Sequence, residues 1–233
     1  MEILFLQNEV RRHCATRLDR LLAVRGARIH HYWAARNEFP LAQTAFDAVV
    51  IGGGPPNPNE DRDYLHRERD MICAFAQTGR PMLGICLGSQ LLAVSLCGSE
   101  QVFRRAAPEV GVLPVTLAPE AANDPLLRAL PTPFELFVWH RDEVRAGHPD
   151  ITLLGSTAAC PNHLWRFRDA PVWGVQGHPE ISGDRAHAWL DENAERLAAD
   201  GANADDFRHA ASRLRDAPRL ISRFLEIAEG QKA

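Results

Sequence analysis

The sequence predicts an α/β fold, a doubly wound and mostly parallel sheet with antiparallel hairpins added in its middle. Three observations predict it. Short apolar runs alternate with helical segments through the first hundred residues. The stretch 101–176 instead carries several short strand-like segments parted by Pro, Gly and Asp clusters. Beyond His178 the apolar spacing returns to that of helices. Alternating strand and helix makes parallel strands covered on both faces, whereas hairpins supply antiparallel pairing.

Residues 3–6 are a short apolar run, followed by a helical pattern through Leu18, Leu21 and Leu22. Strands fit 27–31 and 46–51, the second running into the glycine-rich GGGPPNPN. Residues 60–77 are charged, with Met71, Ile72, Phe75 and Ala76 on one side, an amphipathic helix. A buried strand at 81–85 leads into a buried helix at 87–97 that stops at Gly98. Strands follow at 110–117, 134–138, 151–155, 163–168 and 171–176. A helix carries Trp189, Leu190 and Leu197, and a last one carries Leu214, Leu220, Ile221, Phe224, Leu225 and Ile227, interrupted at Pro218. Neither a repeat nor a linker divides the chain, so one domain over 1–233 is expected.

Composition narrows the function. Lys plus Arg is 26 and Asp plus Glu is 30, a net charge of −4, which disfavours a general nucleic-acid binder or a basic membrane-surface protein. No apolar run approaches the ~20 residues of a bilayer span. The opening MEILFLQNEV lacks the basic and small-residue features of a signal peptide. Five scattered cysteines fit reduced thiols and a cytoplasmic location.

The sharpest chemical feature is Gly84-Ile85-Cys86-Leu87-Gly88, between an apolar strand and a helix. Glycines on both sides of a nucleophile permit the tight strand-to-helix turn that lifts its side chain above the sheet. The helix N-terminus favours a thiolate, and the turn offers the Leu87 N–H as an oxyanion donor. The plainer alternative is a buried cysteine in a tight turn. Downstream, Gly177-His178-Pro179-Glu180 ends another strand. Residues two apart in extended chain face the same way, so Glu180 can accept from one nitrogen of His178 while the other faces Cys86. The third piece is Ile51-Gly52-Gly53-Gly54-Pro55, where Gly54 is a candidate second oxyanion donor. A phosphate loop is the rival, but neither G-x-x-x-x-G-K-[ST] nor G-x-G-x-x-G is present, and a plain turn fits equally well.

GGGP, LGICLGSQLLA and GVQGHPE, in that order and spacing, resemble a class I (triad-type) glutamine amidotransferase domain. FDAVVIGGGP, VWHRDEV and the final helix also fall where that family has counterparts, so the resemblance covers essentially the whole chain. The chain is most similar to stand-alone proteins like the glutaminase half of GMP synthase. The resemblance implies a flavodoxin-like sheet, Cys86 as nucleophile, His178 as base, Glu180 as its partner, and Gly54 and Leu87 as oxyanion donors. It further implies that Gln90 lines the glutamine pocket, and that the backbone of Trp139-His140-Arg141-Asp142 helps hold the substrate's amino-acid end. Two positions depart from the family pattern: Gly177 stands where an aromatic precedes His-Pro-Glu, and Arg141 stands where a small glycine is commoner.

The implied reaction is hydrolysis of the glutamine side-chain amide through a γ-glutamyl thioester, with no cofactor or metal. No P-loop or second domain follows, so an ammonia-accepting synthetase is expected as a separate polypeptide. Two alternatives are a γ-glutamyl peptidase and a non-catalytic binding module on the same fold. Other chemistry-bearing residues have blander readings. Cys14, Cys73 and Cys97 fit helix cores. Cys160-Pro161-Asn162-His163 has metal-like spacing without a second pair. His13 and His30-His31 lack partner spacing. Trp165, Phe167 and Trp173 alternate as sheet core, and the charged run from Glu60 to Asp70 reads as a solvated helix face, with Glu68 facing the region near the glycine loop.

Overall fold

The computed structural model describes residues 1–9, 26–41, 45–181, 184–202 and 204–231. The helical pattern through Leu18, Leu21 and Leu22, with His13 and Cys14, lies outside them. Among the described residues, nine strands form one sheet in the order β2-β1-β3-β4-β9-β8-β7-β5-β6. The first five in that order are parallel: β2 (Arg28–Tyr32), β1 (Glu2–Leu6), β3 (Ala48–Ile51), β4 (Met82–Ile85) and β9 (Val172–Val175). Their 2-1-3-4-then-next arrangement is the doubly wound order of flavodoxin-like folds. The remaining four pair antiparallel: β8 (Leu164–Phe167), β7 (Ile151–Ser156), β5 (Val102–Leu117) and β6 (Phe134–Val144).

Strand periodicity sorts the apolar residues onto two faces. Ile3, Phe5, Val50, Leu83 and Ile85 bury one face against Leu220, Ile221 and Phe224 of α5 (Pro218–Gly230). Leu4, Leu6, Val49, Ile51 and Met82 bury the other against α1 (Asp63–Ala76) and α2 (Leu87–Cys97). With helices on both faces the central strands read as continuous apolar runs. A third cluster packs Val112 and Phe137 of the β5–β6 hairpin against α3 (Asp184–Ala199) and α4 (Ala204–Ala210). Trp165 and Trp173 are fully buried, on opposite faces. No helix among the described residues is long and apolar enough to cross a membrane.

Three expectations need correction. The hairpin strands are longer than the apolar pattern indicates: β5 begins at Val102 and β6 runs to Val144. Residues 103–107 of β5 are half-exposed or exposed, so they lack the alternation that betrays a half-buried strand, and the register shifts between Arg104 and Glu109. Pro218 does not interrupt the last helix but opens it. A proline in the first helical turn loses no intrahelical bond, and its fixed φ already suits the helix. Cys73 and Cys97 are half-buried rather than core.

Candidate active site at the carboxyl ends of the parallel strands

Parallel strands deliver their carboxyl ends to one edge of the sheet. The register Ile51↔Gly84↔Gly174 brings the segments after β3, β4 and β9 together there. They carry Gly52–Gly54, Cys86 and His178.

Cys86 sits at φ 52°, ψ −110°, a conformation that a side chain adopts only at a cost. Its N–H donates to the Val175 carbonyl at 2.8 Å, and the chain turns at once into α2. The flanking glycines are steric requirements. A Cβ on Gly84 would lie 2.5 Å from the Gly88 backbone, and one on Gly88 would lie 2.1 Å from the Ile51 carbonyl oxygen. These contacts bind strand and helix closely enough to hold the turn. Leu87 opens α2, where the first N–H groups have no intrahelical acceptor.

His178 is fixed through its backbone as well as its ring. Its N–H donates to the Phe137 carbonyl of β6 at 2.8 Å, and its Nδ1 lies 2.7 Å from Glu180 Oε1. Cys86 lies beside the ring and favours its charged form. Burial disfavours charge on the imidazole. The Glu180 carboxylate and Cys86 outweigh that penalty, and the pKa stands well above the ordinary histidine value. Cys86, His178 and Glu180 are thus brought together, all buried.

The glycine loop completes this edge. A Cβ on Gly53 would lie 3.1 Å from His178 Cε1 and 3.3 Å from Cys86 Cβ, while one on Gly54 would lie 2.7 Å from the Asn8 carbonyl oxygen. Asn8 braces the loop from behind: its Nδ2 donates to the Gly52 carbonyl at 3.3 Å and to Glu68 Oε1 at 3.0 Å. Glu68 is not on a solvated face; it is completely buried. Burial pushes its pKa up to about 8, against the lowering effect of the Asn8 hydrogen bond. Sequence reasoning points Glu68 toward the glycine loop, where it lies, but within a run read as solvated, and it misses Asn8, whose sole signal is a polar residue directly after an apolar strand.

The cleft beside Cys86 includes Gly54, Gln90, His178 and residues 139–142 in its walls. Gln90 Nε2 donates to the Asp142 carbonyl at 2.7 Å and to Gln176 Oε1 at 3.2 Å. Residues 139–142 lie within β6, and the Trp139 carbonyl is 3.9 Å from Cys86 Sγ. The His140 imidazole is turned to Glu109 Oε2, at 2.8 Å. Trp189, Arg196 and Asp200 form an outer wall that sequence reasoning missed. Trp139 Nε1 donates to Asp200 at 2.7 Å, Arg141 pairs with the same carboxylate, and Arg196 lies 4.8 Å over the Trp139 ring. The signal was present in part, since Trp189 and Arg196 are seven residues apart and so share a helix face.

Gly177 also has a structural reason. A Cβ there would lie 3.0 Å from His163 Nε2 and 3.1 Å from Leu136. His163 and Leu136 thus crowd the space where an aromatic side chain would begin.

A doubly wound sheet with a cysteine turn, a strand-end histidine and a glycine loop at its carboxyl edge defines a class of α/β proteins. The chain belongs to the class I glutamine amidotransferases: the family model "Glutamine amidotransferase class-I" matches residues 13–196. A glutamine-hydrolysing GMP synthase subunit from Ignicoccus hospitalis is 32% identical over 156 residues, covering 66% of this chain and 78% of that protein. The glutamine amidotransferase-like protein YfeJ of Salmonella typhimurium is 28% identical over 170 residues, covering 70% and 69%. A crystal structure of a glutamine amidotransferase from Thermotoga maritima superimposes with a TM-score of 0.84 over 98% of both chains, at 20% identity, a likeness of fold.

Proposed function

We propose that the protein hydrolyses the side-chain amide of L-glutamine to glutamate and ammonia, with Cys86 as nucleophile, His178 as acid–base and Glu180 as the acceptor that orients it. The observation that carries this reading is the His178 ring, 2.7 Å from Glu180 through Nδ1 and set beside Cys86 and the glycine loop. The Cys86 sulfur attacks the amide carbon, and its proton resides on His178. The carbonyl π pair moves to oxygen, stabilised by the N–H groups of Gly54 and Leu87. Removing one such donor typically costs about 3 kcal/mol in the transition state. The tetrahedral adduct collapses, the C–N bond breaks, and His178 returns the proton to the departing ammonia. Water, deprotonated by His178, then cleaves the thioester to glutamate and restores the thiol. Gln90, Trp139 and His140 contribute to the substrate's pocket. The relatives named as one subunit of a GMP synthase support a separate synthetase polypeptide as the consumer of the ammonia.

The rim favours one second reading. Arg104, Arg141 and Arg196, with the Trp139 and Trp189 rings, offer more recognition surface than an amide side chain needs, which suits a γ-glutamyl peptide or conjugate. Glutamate release from L-glutamine and from a panel of γ-glutamyl dipeptides, with Cys86→Ser as control, tests both. Turnover on glutamine that disappears in the variant supports the main reading. Turnover confined to the dipeptides replaces it with the second. No thiol-dependent turnover on any substrate, even with an added synthetase, rejects both.

A further inference from the structure

Behind Gly177, four buried side chains with metal-binding atoms converge: Glu109, His140, Cys160 and His163. Their potential ligand atoms all lie within 4.8 Å of one another. They come from three segments: β5, β6, and the turn that leads from β7 into β8. The sequence showed only Cys160-x-x-His163 and no second pair. The long β5–β6 hairpin supplies that pair, Glu109 and His140, far apart in the chain.

We infer that Glu109, His140, Cys160 and His163 form a closed, structural zinc site, separate from the Cys86–His178–Glu180 constellation. Four observations support it. First, His163 is wholly buried and neither of its ring nitrogens has a hydrogen-bond partner among the described residues. A buried polar atom without a partner costs on the order of 1–3 kcal/mol, and a metal bond removes that cost. Second, His140 is prepared as a ligand: its Nδ1 lies 3.0 Å from the Asp142 carbonyl, which fixes a proton there and leaves Nε2 for the metal. Glu109 has matching support, since the Thr157 hydroxyl donates to its Oε1 at 2.5 Å and leaves Oε2 facing His140. Third, the turn that carries Cys160 is itself fixed, with the Cys160 N–H donating to Thr157 Oγ1 at 3.0 Å and the Thr157 N–H to the Cys160 carbonyl at 3.1 Å. Fourth, one thiolate, one carboxylate and two neutral imidazoles balance a divalent cation in a dry interior, and a mixed S, N, O tetrahedron is zinc chemistry.

Zinc–nitrogen and zinc–sulfur bonds of about 2.0–2.3 Å place tetrahedral ligands roughly 3.3–3.6 Å apart, so side-chain shifts of about 1 Å close the present set onto an ion. On binding, the Cys160 thiol proton leaves to solvent. All four positions are then taken by protein, so the ion activates no water. It ties the hairpin to the β7–β8 turn directly behind Gly177, whose α-carbon faces His163 Nε2.

The test uses the full chain. Protein stripped with a chelator is titrated with Co²⁺, then with Zn²⁺, desalted, and assayed for metal by mass spectrometry. The expected result is one equivalent retained, with a thiolate-to-cobalt charge-transfer band and tetrahedral d–d bands that zinc abolishes. Cys86→Ser retains the metal and the band; Cys160→Ser and His163→Gln lose both. Zinc raises the thermal midpoint of the wild type and of Cys86→Ser. If Cys160→Ser fails to fold, the contrast between Cys86→Ser and His163→Gln still decides. Absence of retained metal and of the cobalt band in the wild type overturns the inference. So does a band that Cys86→Ser abolishes and His163→Gln leaves intact, since that locates the ion at the elbow.

Discussion

The His178 N–H donates to the Phe137 carbonyl at 2.8 Å, so the candidate base is anchored to β6 through its backbone while its ring answers to Glu180 and Cys86. The anchoring separates position from protonation. Substituting Glu180 leaves the ring near its place and removes the charge that raises its pKa.

Glu180→Gln is therefore expected to lower kcat by roughly 10²- to 10⁴-fold with an unchanged circular dichroism spectrum. The stability effect has a defined sign. A histidine whose native pKa is raised contributes stability that is complete below its free value near ~6.5 and disappears as pH rises through the native value. The wild type should exceed Glu180→Gln most at mildly acidic pH, and the gap should narrow toward alkaline pH in urea unfolding. A gap that widens with pH would contradict the coupling.

Glu68 acts in the same sense, through its own carboxyl. Its native pKa is about 8 against an ordinary 4.5, so the folded protein holds a proton that the unfolded chain has released. Stability is complete below pH 4.5 and falls as pH rises toward 8, by up to about 1.4 kcal/mol per pH unit. Glu68→Gln removes this titration and keeps an acceptor for Asn8. The variant should gain on the wild type steadily as pH rises from about 5 to about 8. Parallel curves would show that Glu68 does not titrate in this range.

Gly88→Ala reverses the usual helix preference. In an ordinary helix interior alanine is better than glycine by about 1 kcal/mol. Here the new methyl would lie 2.1 Å from the Ile51 carbonyl oxygen, which is backbone and has no rotamer to change. The expected outcome is a loss of about 1–3 kcal/mol or more, read from chemical denaturation, together with loss of activity. Neutral or improved stability would mean that the elbow relaxes freely.

Gly177→Phe tests why the aromatic of the family pattern is missing. The ring would overlap His163 and Leu136, with an expected cost of about 1–3 kcal/mol. Coupling to His163→Ala should be favourable, because removal of the imidazole opens the space. A double-mutant cycle on unfolding free energies reads this directly; strict additivity would place the clash elsewhere.

The sequence made the contiguous parts of the candidate site legible. Cys86 with its two glycines, and His178 with Glu180, are short segments in which local geometry decides the outcome. The five parallel strands were legible because both their faces are apolar. What stayed hidden depends on distant pairs. Asn8 and Glu68 are 60 residues apart, and each alone is an ordinary polar residue. Glu109 meets His140 across the β5–β6 ladder, where each lies just beyond the strand that the apolar pattern indicates. Trp189 and Arg196 read as helix residues, and only the path of α3 beside β6 turns them toward the cleft.

The bridge between Phe137 and His178 has one more consequence. β6 is the last strand in the sheet order, yet it touches the segment that leaves the fifth strand in that order, so the sheet curls back on itself at the cleft. The elbow stands on the parallel half, and the wall opposite it belongs to the hairpin. The cleft is therefore a seam with two separately founded sides. Its width is set by the lean of the hairpin, and the geometry of the cysteine turn by the sheet below.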